Sequence, residues 1–544
     1  MTKFLRIKIF LLALLLWVTS WADGVCVIAH EAGYYTSLAR HASRWLKEQG
    51  IDAPCCDASN LAKSLEGKSL AYLVGFDAPS KSEMAHLETF CSKGGKLVVF
   101  YSSSPALARL MGVKILGYTK AAYPGQWSRM DFKAKYPSGL PGAIRQTSTV
   151  LQRAEPLKGK GHVMATWSDR IGIPSGDVAW IATGNGFWMT HVLLADGDED
   201  LKARLLAAIA GAVSPKIWNA KSADAKARAK RAELVDFAQR FKGAKGEIRA
   251  VWDHSGCGLY PGDWAKTFRV LKDGGVTDLY VNVAGAAFAH YPSNVLPRSK
   301  IFEQEGDQLK ACLKAAAGSG VRVHAWILCF NATRATSERL AKFASWGWRL
   351  KTRDGALSEY LDPANAEVRT HILKAIDEIQ KRYAVDGIHL DFLRWYEKAQ
   401  KPAGAVSIIS SFVAEARKHV KGKVFSVAVL GKYPMCVASV AQDWVAWLDA
   451  GSVDYVVPMD YTEDDAKFES FLAQHASAKK HLSKIVVGIG VTANESRLDA
   501  RKTISQISLA RKYHLAGTAL FDLDATLEKN ILPYLSMGIW GKSR

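Results

Sequence analysis

After Gly246 the chain spells a strand and then a helix eight times over. The strand segments, in order, are EIRAVWD, TDLYVNVA, VRVHAWILCFN, VDGIHLDF, KVFSVAVLG, VDYVVPMDY, KIVVGIGV and GTALFDLD. Eight such units between Gly246 and Asp524 fit a (β/α)8 barrel and little else. The helix ahead of the fourth strand supports the register: Asp362 and Pro363 offer an N-cap and a first helical position, and Val368, Ile372, Leu373, Ile376 and Ile379 mark one face.

The fourth strand carries the chemistry. VDGIHLDFLRWY, Val385 to Tyr396, has an apolar middle of the kind a strand covered on both faces shows, and it closes on Asp391. Side chains alternate along a strand, so Gly387, His389 and Asp391 share a face. A barrel's C-terminal end is its chemical end, which makes Asp391 the functional acid and Asp386 a turn or capping residue.

Upstream, Met1 to Ala22 combines Lys3, Arg6 and Lys8 with an apolar run from Ile9 to Val18 and small residues at Ser20 and Ala22. This is the pattern of a secretory signal peptide, too short for a membrane span, and Cys26 is not placed as a lipoprotein cysteine. A soluble, secreted or periplasmic protein is expected. The formal charge of +20 loses three basic residues with that segment, and the remaining +17 favours anionic partners: acidic polysaccharide, cell-wall glycan or a membrane face, with nucleic acid disfavoured by export. The eight cysteines are dispersed, and neither a disulfide framework nor a structural zinc site is expected. With no metal-ligand spacing, phosphate-cradling loop or nucleotide fingerprint, no cofactor is expected.

From Gly24, the strand VCVIAH, the helix TSLARHASRWLKEQG, a short strand near Ala53, the strand LAYLVGF, the helix SEMAHLETFCSKGG and the strand KLVVFYSSS alternate as in an open parallel sheet of Rossmann or flavodoxin type. Strands near HVMATW, VAWIAT and GFWMTHVLL continue this domain. The expected organisation is a signal peptide at 1–22, an α/β domain at 23–215, a linker helix at 216–245 and the barrel at 246–541. SKGGKLVVFYSSSPALARLMGV resembles the class I glutamine-amidotransferase-like domains appended to glycoside hydrolases. The turn after that strand offers Ser102, Ser103 and Ser104 in place of a nucleophilic cysteine, so the resemblance implies a catalytically silent module serving partner binding or self-association.

EIRAVWD, HYPSNVLPRS, VHAWI, LDPANAEVR, VDGIHLDFLRW, QDWVAWLDAGSVDYVVPMDY and GIGV together resemble the glycosyl-hydrolase-like 10 family of exported bacterial barrels. The resemblance implies a glycoside hydrolase. Such chemistry generally needs two carboxyl groups, about 5 to 5.5 Å apart for retention and roughly 6.5 to 9.5 Å for inversion. The fifth strand ends without an acid, whereas the sixth ends PMDYTEDD and presents Asp460. Asp391 is therefore assigned as nucleophile, or as water-activating base in an inverting enzyme, and Asp460 as general acid. Glu463, Asp464, Asp465, Asp522 and Asp524 are held in reserve.

Substrate contacts are expected from Asp253, His254, Asn282, His324, Asn331, His389 and Arg394, and from the flat faces of Trp395, Tyr396, Tyr433 and Tyr461. Trp326, Trp444 and Trp447 read as packing residues. The expected substrate is a polymeric glycan, peptidoglycan strands or an acidic polysaccharide, the charge favouring an anionic one. A non-catalytic glycan-binding or envelope-assembly protein on an inactive barrel is the alternative, and the missing strand-five acid keeps it open.

Overall fold

The computed structural model describes residues 23–30, 33–123, 125–133, 136–169, 172–476 and 479–541. The expected signal peptide lies outside them. The chain divides into two compact units, one ending at Ala229 and one starting at Lys230, within the helix Ala220–Gln239.

The first unit is built on a nine-stranded sheet. In spatial order its strands are Cys55–Asp57, Gly24–Ala29, Lys68–Val74, Lys96–Phe100, Gly186–Met189, Pro174–Thr183, Gly161–Ser168, Trp127–Phe132 and Ala143–Ser148. The first five pair in parallel, and the pairings beyond them are antiparallel. The sheet is thus mixed, not parallel throughout as expected. Pro174–Thr183 and Gly186–Met189 are joined by a two-residue turn, which only an antiparallel hairpin permits.

The turn after Lys96–Phe100 runs through Tyr101, whose φ of 48° is rare for a side-chain-bearing residue. The three serines that follow are engaged in building it. Ser102 Oγ donates to Phe76 O at 2.5 Å, Ser103 Oγ to Asp77 O at 3.4 Å, and Ser104 Oγ caps the next helix by accepting Leu107 N. Cys91 is buried in the preceding helix, and that burial pushes its thiol up to about 11.

The second unit is an eight-stranded parallel barrel. Its strands are Ile248–Asp253, Asp278–Gly285, Arg322–Leu328, Gly387–Asp391, Val424–Leu430, Tyr455–Met459, Val486–Gly490 and Gly517–Phe521, each pairing with the next. The eighth closes on the first, with Ile248 opposite Gly517 and Val251 opposite Leu520. Helices and apolar outward-facing residues wrap the barrel in one continuous core. The helix before the fourth strand starts at Ala366 and is capped by Asn365, not by Asp362. Asp362 instead accepts Ala364 N in a turn that leads the chain into that cap.

Inside the barrel, large and small residues alternate across facing strands, as a filled interior requires. Trp252, Tyr280, Trp326 and Tyr455 fill space left by Ala250, Ala428 and Ala519. Gly387 and Gly488 are small for the same reason. A Cβ on Gly387 would collide with the His324 ring, and one on Gly488 would meet Trp252 Cη2 at 3.0 Å.

Candidate active site

Strand parity places Asp391 where the fourth strand reaches the barrel mouth. It follows Gly387 and His389 on the inward face and pairs in register with Leu328. The side chain is 5% exposed. Burial pushes its carboxyl up, while Arg394, the Phe392 amide and the Trp326 indole pull it back down. The chain turns immediately afterwards through Phe392 at φ 54°, a left-handed value that stores strain in a residue with a side chain. That turn lays the Arg394 guanidinium over the Phe392 ring, 4.2 Å from its centroid, with Nη1 buried and unpartnered.

Across the mouth, Tyr461 follows the sixth strand and stacks on Phe521 at 5.6 Å and 26°. Its hydroxyl is pushed well above its ordinary range, first by burial and then by the charges of Asp391, Glu495, Asp522 and Asp460. Asp522 directly follows the eighth strand, half-buried, with one carboxyl oxygen free of any hydrogen bond. Burial, reinforced by Asp253 and Asp524, pushes it up to about 7. Asp391 and Asp522 thus both lie at the C-terminal ends of their strands.

Asp460 turns toward the helical layer. Residues Tyr455, Val457 and Met459 of the sixth strand alternate inward, so Asp460 takes the outward parity. It is wholly buried, with Oδ2 accepting from His475 Nε2 at 2.7 Å on the helix Asp465–Ala476. The expected general acid is thus packed into the helical layer, away from open solvent. Two acids of PMDYTEDD hold backbone amides: Glu463 Oε1 accepts Arg497 N, and Asp464 Oδ1 accepts Lys467 N, while Asp465 opens the next helix. Asp524 caps the next turn through Leu527 N.

The remaining expected contacts divide sharply. His389 and His324 are fully buried and are interior packing residues, not ligands to a substrate. Trp252 Nε1 donates to His389 Nε2 at 3.0 Å, which leaves the proton on Nδ1, donated to Ser426 Oγ at 2.8 Å. His389 also stacks on Tyr280 at 4.1 Å and 11°, and burial holds it neutral by pushing its pKa well down. His324 Nε2 lies 2.8 Å from Asp278 Oδ1, at the opposite end of the barrel from Asp391.

Asp253 is likewise buried, and its carboxylate accepts from the amides of Ser255, Gly256 and Gly258 and from Ser255 Oγ. It shapes a loop rather than facing a sugar. Asn331 does the same through Thr333 N and Oγ1. Trp395 is 3% exposed and donates to Gln400 O, and Tyr433 packs on Trp444 while its hydroxyl reaches Asp443 at 3.3 Å. Both are packing residues, because the loops after strands four and five fold back onto the helical layer. Tyr396 stacks on Tyr360 at 4.0 Å and 9° and stays half-exposed.

The structure adds Arg334, which the sequence did not single out. Its Nη1 donates to Asn282 Oδ1 at 3.0 Å and its Nη2 to His254 Nε2 at 2.8 Å, above the Phe288 ring. Asn282 thereby becomes the anchor of a cation rather than a sugar ligand. Burial and Arg334 together push His254 down to about 4, so it is neutral, and its ring sits between Trp326 and Phe521 at 5.8 Å from each. Only the side-chain reach across three strands reveals Arg334. In sequence it is one arginine in the loop FNATRATS.

Residues 247–405 match the family model described as Glycosyl hydrolase-like 10. No curated protein matches the chain. Among solved structures, a class V chitinase from Pseudomonas fluorescens aligns with a TM-score of 0.37 and 11% identity over 54% of this chain and 99% of its own. An endo-1,4-beta-mannanase from Rhizomucor miehei aligns at 0.38 and 12% over 52% of this chain and 87% of its own. A ThuA-like protein from Bacteroides uniformis aligns at 0.28 and 13% over 35% of this chain and 93% of its own.

Proposed function

We propose that the barrel is a glycoside hydrolase whose chemistry is centred on Asp391, acting as nucleophile or as the base that activates water. Asp522 takes over from Asp460 as its proton donor. The observation that carries the reading is the position of Asp391 and Asp522 at the C-terminal ends of the fourth and eighth strands, the end of the barrel where such sites are built. The match of residues 247–405 to a glycosyl-hydrolase-like family supports the reaction class. The substrate in this reading is a polymeric glycan, peptidoglycan strands or an acidic polysaccharide, met outside the cytoplasm after removal of residues 1–22. The first unit, with no free serine hydroxyl at its turn, serves partner binding or self-association in the same reading.

The test is product release from a panel of purified glycans, denuded peptidoglycan strands and acidic polysaccharides included, comparing the natural protein with Asp391→Asn. Cleavage by the natural protein alone supports the reading. Equal cleavage by both would move the chemistry to another residue. The burial of Asp391 and the enclosure of Asp460 favour one rival, a glycan-binding or envelope-assembly protein. Tight binding with no cleavage by either protein would select it.

A further inference from the structure

Beside the mouth lies a cavity of about 420 Å³ lined by Arg353, Tyr396, Glu397, Ala399, Gln400, Lys401 and Ser439. It sits among the loops that follow the third, fourth and fifth strands, on the chemical face of the barrel. Its floor belongs to the same loop that starts at Asp391 and carries Arg394. Its wall is Tyr396, kept upright by the stack on Tyr360. The antiparallel bridge between Thr352 and Ala399, with Arg353 N donating to Lys398 O, ties the strand-three excursion to this loop.

Two cations converge on the cavity. Arg353 Nη2 donates to Glu397 O at 3.1 Å, and Lys401 Nζ donates to Ala438 O. Both heads are thus held by backbone carbonyls, which fix position without neutralising charge. Neither forms an ion pair among the described residues. Partial burial and then the charge of Arg353 depress the Lys401 ammonium. Two like charges are therefore held close together in a partly enclosed space, an arrangement that an incoming anion relieves.

We infer that this cavity is a subsite for an acidic sugar unit of the glycan chain, its carboxylate or sulfate group held between Arg353 and Lys401 with the ring against Tyr396. The inference rests on the glycoside-hydrolase reading and narrows its substrate to an anionic glycan. A guanidinium offers a planar fork and an ammonium a point charge, so the pair suits a trigonal carboxylate and tolerates a tetrahedral sulfate. Arg394 lies on the same loop, between Asp391 and Tyr396, and its charge acts on Asp391.

The test is calorimetric titration of Asp391→Asn, which blocks turnover, with three probes: galacturonate oligomers, sulfated galactan oligomers and neutral chito-oligomers. The same titrations are repeated with Arg353→Gln and Lys401→Gln added, and with the charge-keeping pair Arg353→Lys and Lys401→Arg. The expected result is a preference for one acidic probe, weakened about tenfold or more by the glutamine pair and largely kept by the charge-keeping pair. The preferred probe distinguishes carboxylate from sulfate. Binding of neutral oligomers as tight as acidic ones, or an acidic preference untouched by the glutamine pair, overturns the subsite while leaving the glycosidase reading standing. If no probe binds and the natural protein cleaves none of them, both fall together.

Discussion

Asp460 Oδ2 accepts a hydrogen bond of 2.7 Å from His475 Nε2, and both side chains are fully buried between the sixth strand and the helix Asp465–Ala476. Trp444 closes over the imidazole edge-on at 5.5 Å. The pair pins a helix to the barrel, which is structural work. Asp460→Asn is expected to lower stability by about 1–3 kcal/mol, the usual cost of disturbing a buried polar pair, and to leave turnover per folded molecule unchanged. Thermal unfolding and activity normalised to the folded fraction check this together. A stable variant without turnover would restore Asp460 as the general acid.

Asp391→Asn keeps the shape of the side chain and removes its capacity to ionise. A reaction that uses it as nucleophile or base should slow by a factor of about 10² to 10⁴ or more, with little change in unfolding temperature. Rate assays on the glycan that the natural protein cleaves provide the measurement. A loss smaller than tenfold would take Asp391 out of the chemistry.

The strand-eight acid predicts a pH profile. Asp522 is pushed up to about 7, so it holds its proton at mildly acidic pH and gives it up as the solution becomes alkaline. A proton donor with that value makes the rate fall above roughly pH 7. Asp522→Asn should cost most of the rate and remove this alkaline limb from whatever remains. The same group has a stability signature: its folded value lies above that of an unfolded aspartate, about 3.9. The folded state therefore binds the extra proton, and stability declines as pH rises between about 4 and 7, then levels. Denaturant midpoints across that range should fall in the natural protein and stay flatter in Asp522→Asn.

The sequence made the barrel legible because its periodic signals are strong. Each strand segment is a short apolar run between turn residues, and eight in succession leave few alternatives. Asp391 was legible for the same reason, since parity along VDGIHLDF aims it inward. Asp460 shows where that logic fails: VDYVVPMDY is likewise an apolar run closing on an aspartate, yet the side chain takes the outward parity and meets His475. The contact is 15 residues away along the chain and invisible before the helix docks. His389 and His324 were ambiguous because an interior imidazole and a catalytic one carry the same strand context. Only their partners, Trp252 and Ser426 for one and Asp278 for the other, decide it.

The closed end of the barrel offers a contrast that separates structure from chemistry. Asp278 is fully buried, and accepts from His324 Nε2 at 2.8 Å, Arg322 Nη2 at 2.9 Å and Thr277 Oγ1 at 2.7 Å. Burial raises its carboxyl, but these donors outweigh it and hold the group below its ordinary range. A depressed carboxylate contributes stability that is present above the unfolded value of about 3.9 and is lost as pH falls through the folded one. Asp278→Ala leaves His324 and Arg322 without their shared acceptor. The cost should be about 3 kcal/mol, at the lower end for a broken buried pair because Arg322 keeps 49% of its side chain in water. The variant should also lose the natural protein's acid destabilisation in that range. Yet its turnover per folded molecule should match the natural protein's, because the residue starts the second strand while Asp391 ends the fourth. Urea unfolding at pH 7 and pH 3, run beside activity corrected for folded fraction, tests both halves. Lost turnover in a well-folded Asp278→Ala would mean that the closed end of this barrel takes part in the reaction.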